Sequence, residues 1–272
     1  MDEHPASLAR DLDALGRRRV VLGAGGLAAT TLLAAWACGP LGAAARPAAL
    51  RTGSGPAGPC SESAEETEGP YPADGSNTAN GSAANVLPVA GIVRGDLRAS
   101  FGSHGGRAEG VPVTLQLKLL GVDGGCAELA GHAIYVWHCD RDGRYSIYDL
   151  PDQNYLRGVQ PTDARGQAAF RTVFPGCYAG RMPHIHIEVY RNTGAATSWE
   201  HKLKTTQLAF PVEVCQAVYA GAPGYGASAA NLAQMSFATD NVFADGTATE
   251  MSAVTGSVAE GYVVSLTVGI PV

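Results

Sequence analysis

The sequence predicts an all-β protein, a β-sandwich with long connecting loops that is preceded by an export signal and a flexible tether. The 272 residues are 46% hydrophobic and 16% charged, which is enough apolar material to bury a full core. The 35 glycines and 16 prolines indicate many turns rather than long helices. Strand-like segments recur at short spacing, and no long amphipathic helix pattern competes with them.

Six segments have the β-branched and aromatic content of strands, and clusters of Gly, Asp or Pro separate them. Asp123-Gly124-Gly125, Asp142-Gly143 and Pro175-Gly176 are such clusters. Regular short strands with turns between them are typical of a β-sandwich or a partly open barrel. The predicted strands are 111–119, 132–138, 168–173, 185–190, 205–210 and 262–268.

The first 45 residues have the pattern of an export signal. Arg17-Arg18-Arg19 opens an uncharged run over 20–37, and small residues follow that run. The pattern predicts a twin-arginine signal over residues 1–45, and therefore an exported protein that is periplasmic, extracellular or lipid-anchored at the cell surface. A single membrane anchor is the alternative, because the run is about long enough to span a bilayer, but its Gly, Ala and Thr content makes it weakly hydrophobic.

The rest of the chain divides into a linker and one domain. Residues 46–59 are rich in Ala, Gly and Pro, a composition that predicts a flexible tether. Residues 60–272 show no further composition shift and are predicted to form one β-sandwich domain. Cys38, at the end of the uncharged run, is a candidate for lipidation, although the residues before it fit the acylation pattern poorly. The net charge of −6 offers no basic stripe for nucleic acid. Nothing in the sequence fixes the oligomeric state.

Five cysteines lie in the predicted domain over residues 60–272: Cys60, Cys126, Cys139, Cys177 and Cys215. In an oxidising compartment they allow up to two disulfides with one thiol left over, and the sequence does not determine which cysteines pair. Because no CxxC pair is present, a thiolate zinc site is not expected.

The strongest local motif is a His-x-His pair. On a strand, alternate side chains share a face, so His184 and His186 point to one side while Ile185 and Ile187 point to the other. Two imidazoles about 6.6 Å apart along the strand can lean toward one metal ion. A pair of polar residues on a solvated strand face is the competing interpretation of such a motif.

Two tyrosines favour the metal interpretation. Tyr178 follows the turn Pro175-Gly176 just ahead of the histidine strand, and Tyr145 follows the turn Asp142-Gly143. Taken alone, either tyrosine is an ordinary half-buried aromatic residue. A phenolate, however, is a hard anionic oxygen donor, and a ferric ion is a hard acceptor that can deprotonate a phenol well below its free pKa of about 10.

At these residues the sequence resembles the intradiol ring-cleavage dioxygenases, in the compact exported branch of the protocatechuate 3,4-dioxygenase type. The resemblance covers about residues 60–270, and several motifs in the family's order are more specific than any one of them. The matching stretches are Thr67-Glu68-Gly69-Pro70-Tyr71, Val136-Trp137-His138-Cys139-Asp140, Asp142-Gly143-Arg144-Tyr145-Ser146, Tyr155-Leu156-Arg157-Gly158-Val159-Gln160, Thr162-Asp163, Phe174-Pro175-Gly176-Cys177-Tyr178 and His184-Ile185-His186.

The resemblance implies a site that binds Fe(III) through Tyr145, Tyr178, His184 and His186, with water or hydroxide as a fifth ligand. Tyr178 matches the tyrosinate that leaves when substrate arrives, and Tyr145 matches the one that stays. Two phenolates and a hydroxide cancel the charge of ferric iron, so the site can be buried without an uncompensated ion.

The resemblance also implies the reaction and two further catalytic residues. A catechol-type substrate is cleaved with O2 between its two hydroxyl-bearing carbons to give muconic-acid products. Arg181 matches the arginine that stabilises negative charge on the substrate ring, and Gln207 matches the glutamine beside the oxygen site. Protocatechuate, catechol, hydroxyquinol and lignin-derived catechols remain open as substrates, because loops such as 76–86 and 220–230 shape the pocket.

Some residues in the motifs carry a plainer interpretation. Cys177 stands where many relatives of the family have tryptophan. A disulfide between Cys177 and Cys139 or another cysteine is one expectation for this residue. His138 belongs to a motif that is structural rather than metal-binding. Arg157 is expected to support the fold or an ion pair. Tyr71 is expected either to line the pocket or to pack on the core.

Two other functions compete with the dioxygenase. A copper or zinc β-sandwich oxidoreductase, such as a superoxide dismutase, also uses His-x-His strands, but it needs further histidines, for which His132, His138 and His201 are the candidates. A non-catalytic exported binding module for plant-wall or aromatic material is the third possibility. Retention of all four ligands, Arg181 and Gln207 argues against it.

Overall fold

Two β-sheets packed face to face and a small hairpin make up the part of the chain that the structure describes. The computed structural model describes residues 60–272. The predicted export signal, the predicted tether and Cys38 lie outside the described residues, so the proposed division at 45 and 59 stays a prediction.

Within residues 60–272 the chain forms eleven strands and two α-helices. The strands are β1 (Asp74–Ala79), β2 (Ser82–Asn85), β3 (Pro112–Gly121), β4 (Ala127–Glu128), β5 (Ala133–Trp137), β6 (Arg157–Pro161), β7 (Gln167–Val173), β8 (His184–Tyr190), β9 (Lys202–Ala209), β10 (Ala253–Ser257) and β11 (Gly261–Ile270). The helices are α1 (Val212–Gly221) and α2 (Ser228–Leu232).

The strand order confirms the predicted all-β sandwich. One sheet has the order β6-β5-β8-β9 and is antiparallel throughout. In the other, β10, β11 and β3 are adjacent, and β4 and β7 both pair with β3. Strands β11 and β3 run parallel, and β1 pairs with β2 as a separate hairpin. No helix within the described residues is both long and apolar enough to cross a membrane.

All six predicted strands are present, with ends shifted by at most three residues. Five strands and both α-helices were not predicted. Strand β6 begins with a buried arginine and glycine, Arg157-Gly158, which lowers its strand propensity. The strands β1 and β2 consist of Asp, Gly, Ser, Asn, Thr and Ala, which form no alternation of hydrophobic and polar residues. Tertiary pairing therefore determines these elements.

The two faces of β8 have different partners, and both are buried. Ile185, Ile187 and Val189 point between the sheets into the main core. On the opposite face, Tyr190 packs in a second cluster with residues of β5, the hairpin and the segment that follows it. The histidines of β8 share that outer face, because side chains alternate along a strand. The candidate site therefore lies on the outer side of the four-stranded sheet, beneath the N-terminal segment and loops.

One disulfide links the start of the described chain to the connection after β3. Cys60 pairs with Cys126, whereas Cys139, Cys177 and Cys215 are buried free thiols. The Sγ atoms of Cys139 and Cys177 face different backbone carbonyls, those of Gly176 and Arg181. The second disulfide allowed by the cysteine count, including a Cys139–Cys177 pair, is therefore not formed.

Replacing Cys60 and Cys126 by serine should lower the free energy of unfolding by roughly 2–4 kcal/mol, because the crosslink spans 66 residues and restricts the unfolded chain. Urea denaturation measures the change. Dithiothreitol should destabilise the wild-type protein by a similar amount and leave the double variant unaffected. Equal urea midpoints for the two proteins would show that the crosslink does not stabilise the fold.

Candidate metal centre

The two histidines of the motif point their Nε2 atoms at the same region. These atoms lie 3.1 Å apart, and both side chains are buried. Nδ1 of His184 donates a hydrogen bond to the carbonyl oxygen of Met182 at 2.6 Å, which leaves Nε2 as the atom available to bind a cation. The ring of His186 stacks on Trp137, with centroids 4.7 Å apart and planes 3° from parallel. Both rings are thus held in place by their neighbours.

The two tyrosines bring their hydroxyls to the same region from separate turns. Tyr145 lies between β5 and β6, and its Oη is 3.4 Å from Nε2 of His184 and 3.5 Å from Nε2 of His186. Tyr178 lies in the turn before β8, and its Oη is 3.3 Å from Nε2 of His184. Tyr145 is almost fully buried, whereas Tyr178 is only half-buried.

The approach of the two turns depends on Gly143. Its φ angle is +83°, a backbone conformation that residues other than glycine rarely adopt. A Cβ atom at this position would also lie only 3.2 Å from Cβ of Tyr178. Tyr145 is held from other directions as well. Its backbone N–H donates to the Asp149 carboxylate at 2.7 Å, and its ring stacks on Tyr71 at 4.6 Å. Tyr71 therefore packs against a predicted ligand.

The spacing of these four side chains fits a shared cation. Four separations among their Nε2 and Oη atoms run from 3.1 to 3.5 Å. Donor atoms that share one metal ion, with bonds of about 2.0–2.2 Å, lie at such separations. Among the described residues, no group of three or more His, Cys, Asp or Glu side chains is arranged to hold a metal ion. A metal bound by the histidines would therefore depend on the tyrosine oxygens, and anionic oxygen favours a hard, highly charged ion.

Burial shifts the pKa values of three of the four side chains, those of His184, His186 and Tyr145. It lowers the pKa of His184 to about 3, with a further contribution from the nearby Arg181, and it lowers the pKa of His186 well below its usual value. Both imidazoles are therefore neutral, the form that binds metals. Burial also raises the pKa of Tyr145 well above its usual value, so its phenolate needs a nearby positive charge.

The other two predicted catalytic residues lie next to each other. Nη2 of Arg181 donates to Oε1 of Gln207 at 2.7 Å, and Nε2 of Gln207 donates to the carbonyl oxygen of Thr67 at 2.9 Å. Gln207 is opposite His186 in the pairing of β9 with β8, so the two side chains share the outer face of the sheet. Arg181 and Gln207 are both buried. The structure thus groups Arg181 and Gln207 at the edge of the four-donor cluster.

A residue that the sequence did not predict completes this group. Asp240 is fully buried, and both of its carboxylate oxygens accept hydrogen bonds from Nε of Arg181 at 3.1 Å. Burial opposes ionisation of this carboxyl, but Arg181 and backbone N–H donors outweigh it and lower the pKa of Asp240. Asp240 lies 59 residues after Arg181 in a loop without a recognisable motif, so no spacing signal could have identified it.

The remaining histidines have partners elsewhere. His138 is within 2.6 Å of the Thr172 hydroxyl and donates from Nδ1 to its neighbour's carbonyl, so its role is structural. His201 is exposed beside Thr197, and His132 is half-exposed. A fourth histidine, His104, was not among the candidates. It is exposed and accepts a hydrogen bond from the Asn154 side chain.

Arg157 has a supporting role in the same region. Its guanidinium donates to the hydroxyl and carbonyl oxygens of Ser146 and to the carbonyl oxygen of Pro72. Ser146 follows Tyr145, and Pro72 follows Tyr71, whose ring stacks on Tyr145. The buried arginine therefore joins the tyrosine loop to the N-terminal segment.

Glu250, in the turn before β10, should make stability depend on pH. Its side chain is buried, and burial together with the Glu66 carboxylate raises its pKa to about 9. As pH rises from about 4.5 to about 9, the unfolded chain releases a proton that the folded protein retains, so stability should fall over that interval. In Glu250→Gln, the fall in melting temperature between pH 5 and 9 should be smaller. It should not vanish, because the pKa of Glu66 is also raised, to about 7. An equal fall in melting temperature between pH 5 and 9 in the two proteins would contradict the raised pKa of Glu250.

Comparisons with a family model and with solved structures identify known proteins that this chain resembles. The family model described as "Dioxygenase" matches residues 95–265, and no curated protein sequence matches significantly. An intradiol ring-cleavage dioxygenase from Tetranychus urticae has a similar fold, with 22% identity, a TM-score of 0.59, and coverage of 78% of this chain and 95% of that one. The dioxygenase Tetur07g02040 is similar at 22% identity and a TM-score of 0.58, with the same coverage of both chains. The match of the family model over more than half of the chain shows that this protein belongs to the intradiol ring-cleavage dioxygenase family, as its motifs predicted.

Proposed function

We propose that this enzyme is an exported non-haem iron(III) dioxygenase that uses O2 to cleave catechol-type aromatics between their two hydroxylated carbons, giving muconic-acid products. The observation that carries the proposal is the convergence of two phenol oxygens and two imidazole nitrogens at separations of 3.1 to 3.5 Å. Membership of the family supplies the reaction class. The metal, the substrate and the cellular location extend beyond it.

Iron(III) fits the four side chains by their chemistry. The ion would be held by Tyr145, Tyr178, His184 and His186. The two phenolates would cancel two of its three positive charges, which lowers the desolvation cost of burying the ion. The cation would in turn offset the burial that raises the pKa of Tyr145. When bound there, ferric iron would draw electron density from a catecholate ring and so make ring carbons reactive toward O2.

The two tyrosines are suited to different roles. Tyr145 is almost fully buried and lies near both histidines, so we assign it as the permanent ligand. Tyr178 is half-buried in a turn and lies near His184, so we assign it as the ligand that leaves when substrate binds. Its Oη, as a phenolate, would accept the proton of one substrate hydroxyl and become a neutral phenol. The substrate oxygen would then take the place that Tyr178 leaves.

Arg181 and Gln207 would act on the substrate rather than on the metal. The guanidinium of Arg181 is buried and fixed by hydrogen bonds, so its positive charge is preorganised to stabilise negative charge on the ring. Gln207 holds Arg181 through Oε1 and the N-terminal segment through Nε2. Its amide would thereby set the position of the guanidinium beside the reacting carbons.

Export is supported by two separate features of the chain. Residues 1–45 have the twin-arginine pattern, and Cys60 and Cys126 form a disulfide, which is typical of oxidising compartments. We propose that the mature enzyme acts outside the cytoplasm, in the periplasm, in the medium or anchored by lipid at Cys38. Its partners would be a small aromatic diol and O2, with no nucleic acid and no further membrane contact.

Neither competing function has a comparable observation in its favour. A copper or zinc site would need a third histidine at the centre. His138 is bonded to Thr172, and His132 and His201 lie on the surface. For a binding module, the buried pair of Arg181 and Asp240 beside the four donors would serve no purpose and would cost desolvation.

Oxygen consumption by the iron-loaded protein, with product mass, tests the proposal. The panel contains catechol, protocatechuate, hydroxyquinol and lignin-derived catechols, with the corresponding monophenols as controls that lack the second hydroxyl. We expect O2 uptake with at least one diol, a product heavier by both oxygen atoms, and none with the monophenols. Stoichiometric copper or zinc without a tyrosinate colour, or diol binding without O2 uptake, would exclude the proposal.

A further inference from the structure

The carboxylate of Asp240 accepts hydrogen bonds from the Arg181 side chain, from the backbone just before β8 and from its own loop. Its oxygens accept hydrogen bonds from Nε of Arg181 at 3.1 Å, from the backbone N–H of Met182 at 2.6 Å, and from the backbone N–H groups of Val242 and Phe243 at 2.8 and 3.1 Å. It has no exposed surface. A buried carboxylate with this many donors is fixed in one orientation.

Through these bonds Asp240 reaches both the arginine and the histidine strand. The Met182 peptide donates its N–H to Asp240, and its carbonyl oxygen accepts the hydrogen bond from Nδ1 of His184. The loop that carries Asp240 also carries Phe243, whose ring lies 6.3 Å from the His184 ring and 5.6 Å from Cζ of Arg181. One short loop therefore contacts the arginine side chain, its neighbouring peptide and the histidine ring.

The guanidinium of Arg181 is held from two directions. Asp240 binds its Nε, and Gln207 binds its Nη2, so two points of a rigid planar group are fixed. Gln207 is neutral, whereas Asp240 forms a buried ion pair with Arg181. Without that carboxylate, the guanidinium would lose one of these two fixed points and a buried anionic partner.

We infer that Asp240 is a positioning residue of the dioxygenase reaction, one that acts on the substrate through Arg181. The inference rests on the proposed function and adds to it a residue outside the motifs of the sequence. A displacement of about 1 Å in a catalytic group can cost about a hundredfold in rate. We therefore expect loss of the carboxylate charge to lower kcat by about ten- to a hundredfold, with KM changed by less than about threefold.

Asp240→Asn tests the inference, because it keeps the shape of the side chain and removes its charge. Asp245→Asn is the matched control, since it removes the same charge from an exposed position in the same loop. In Asp240→Asn we expect lower kcat, unchanged iron content and an unchanged visible band before substrate is added. In Asp245→Asn we expect wild-type values for all three.

A double-mutant cycle shows whether Asp240 acts through Arg181. If it does, Asp240→Asn should lower kcat in the wild-type background and have little further effect on Arg181→Met. The same non-additivity should appear in the urea midpoints of the metal-free proteins, a measurement that needs no activity. The inference would be overturned if the effects of the two substitutions on kcat multiplied in the double variant, or if Asp240→Asn had a wild-type kcat. Neither result would contradict the proposed dioxygenase function.

Two further outcomes are distinguishable. If Asp240→Asn does not fold, Asp240→Glu replaces it, because it keeps the charge and displaces it by one methylene. Its kcat should then be reduced, again without further loss in combination with Arg181→Met, and a wild-type kcat would overturn the inference. A wild-type protein that consumes no O2 with any diol would reject the proposed function, and the inference with it.

Discussion

Tyr145→Phe is expected to fold normally and to retain little iron. The hydroxyl of Tyr145 lies 3.4 and 3.5 Å from the two histidine Nε2 atoms, and it is the more buried of the two phenol donors. A phenylalanine can keep the stack on Tyr71, so the change removes an anionic ligand with little loss of packing. Loss of a residue that only supports a ligand costs about 10- to 100-fold in metal affinity, and loss of a ligand should cost at least as much.

Tyr178→Phe is the matched comparison for this prediction. Tyr178 is half-buried and lies beside His184, so its loss should leave most of the iron in place, shift the visible charge-transfer band and slow substrate binding. Iron per protein, visible spectra and melting temperature of the two variants and the wild type measure these effects. Spectra and iron contents equal to wild type in both variants would rule out tyrosine ligation.

Arg181→Met should lower kcat by about a hundredfold or more while iron binding is retained. Its guanidinium is held by Asp240 and Gln207, so the charge is in place before the reaction begins. Removal of one preorganised group that stabilises transition-state charge typically costs about 100- to 1,000-fold in kcat. Steady-state O2 consumption with the best diol measures the loss, and metal analysis verifies the iron.

The same substitution should also destabilise the protein. Asp240 is fully buried, and removal of Arg181 breaks a buried ion pair and leaves the carboxylate with backbone N–H donors but without this cation, a change that typically costs about 3–5 kcal/mol. Assays therefore need temperatures well below the melting point of the variant. Arg181→Lys keeps the charge but loses the planar fork, and we expect intermediate activity and stability. If Arg181→Met had a wild-type kcat, the assignment of Arg181 would be wrong.

Local patterns predicted the strands that face the main core. In β8, Ile185, Ile187 and Val189 alternate with polar residues, and the predicted strand is present almost to the residue. The pattern could not reveal that the opposite face is buried as well. That burial comes from segments far away in the sequence, including the hairpin of β1 and β2, which has no hydrophobic alternation of its own.

The candidate site was predicted to a similar extent. Tyr145, Tyr178 and the two histidines occur in motifs whose order along the chain is informative, and the structure brings all four together. Asp240 has no such motif, because its partners are a side chain and peptide groups reached only after folding. The disulfide was undetermined for the same reason, since five cysteines permit many pairings and spatial proximity selects one.

The sequence by itself determined the all-β class, the family and the identities of the candidate metal ligands. Residue chemistry and short-range periodicity are properties of local sequence, and they survive without knowledge of distant contacts. Only the tertiary structure decided that both faces of β8 are buried, which cysteines pair, and that Asp240 holds Arg181. The disulfide joins residues 66 positions apart and Arg181 contacts Asp240 across 59 positions, and short-range periodicity cannot register contacts between segments so far apart in the sequence.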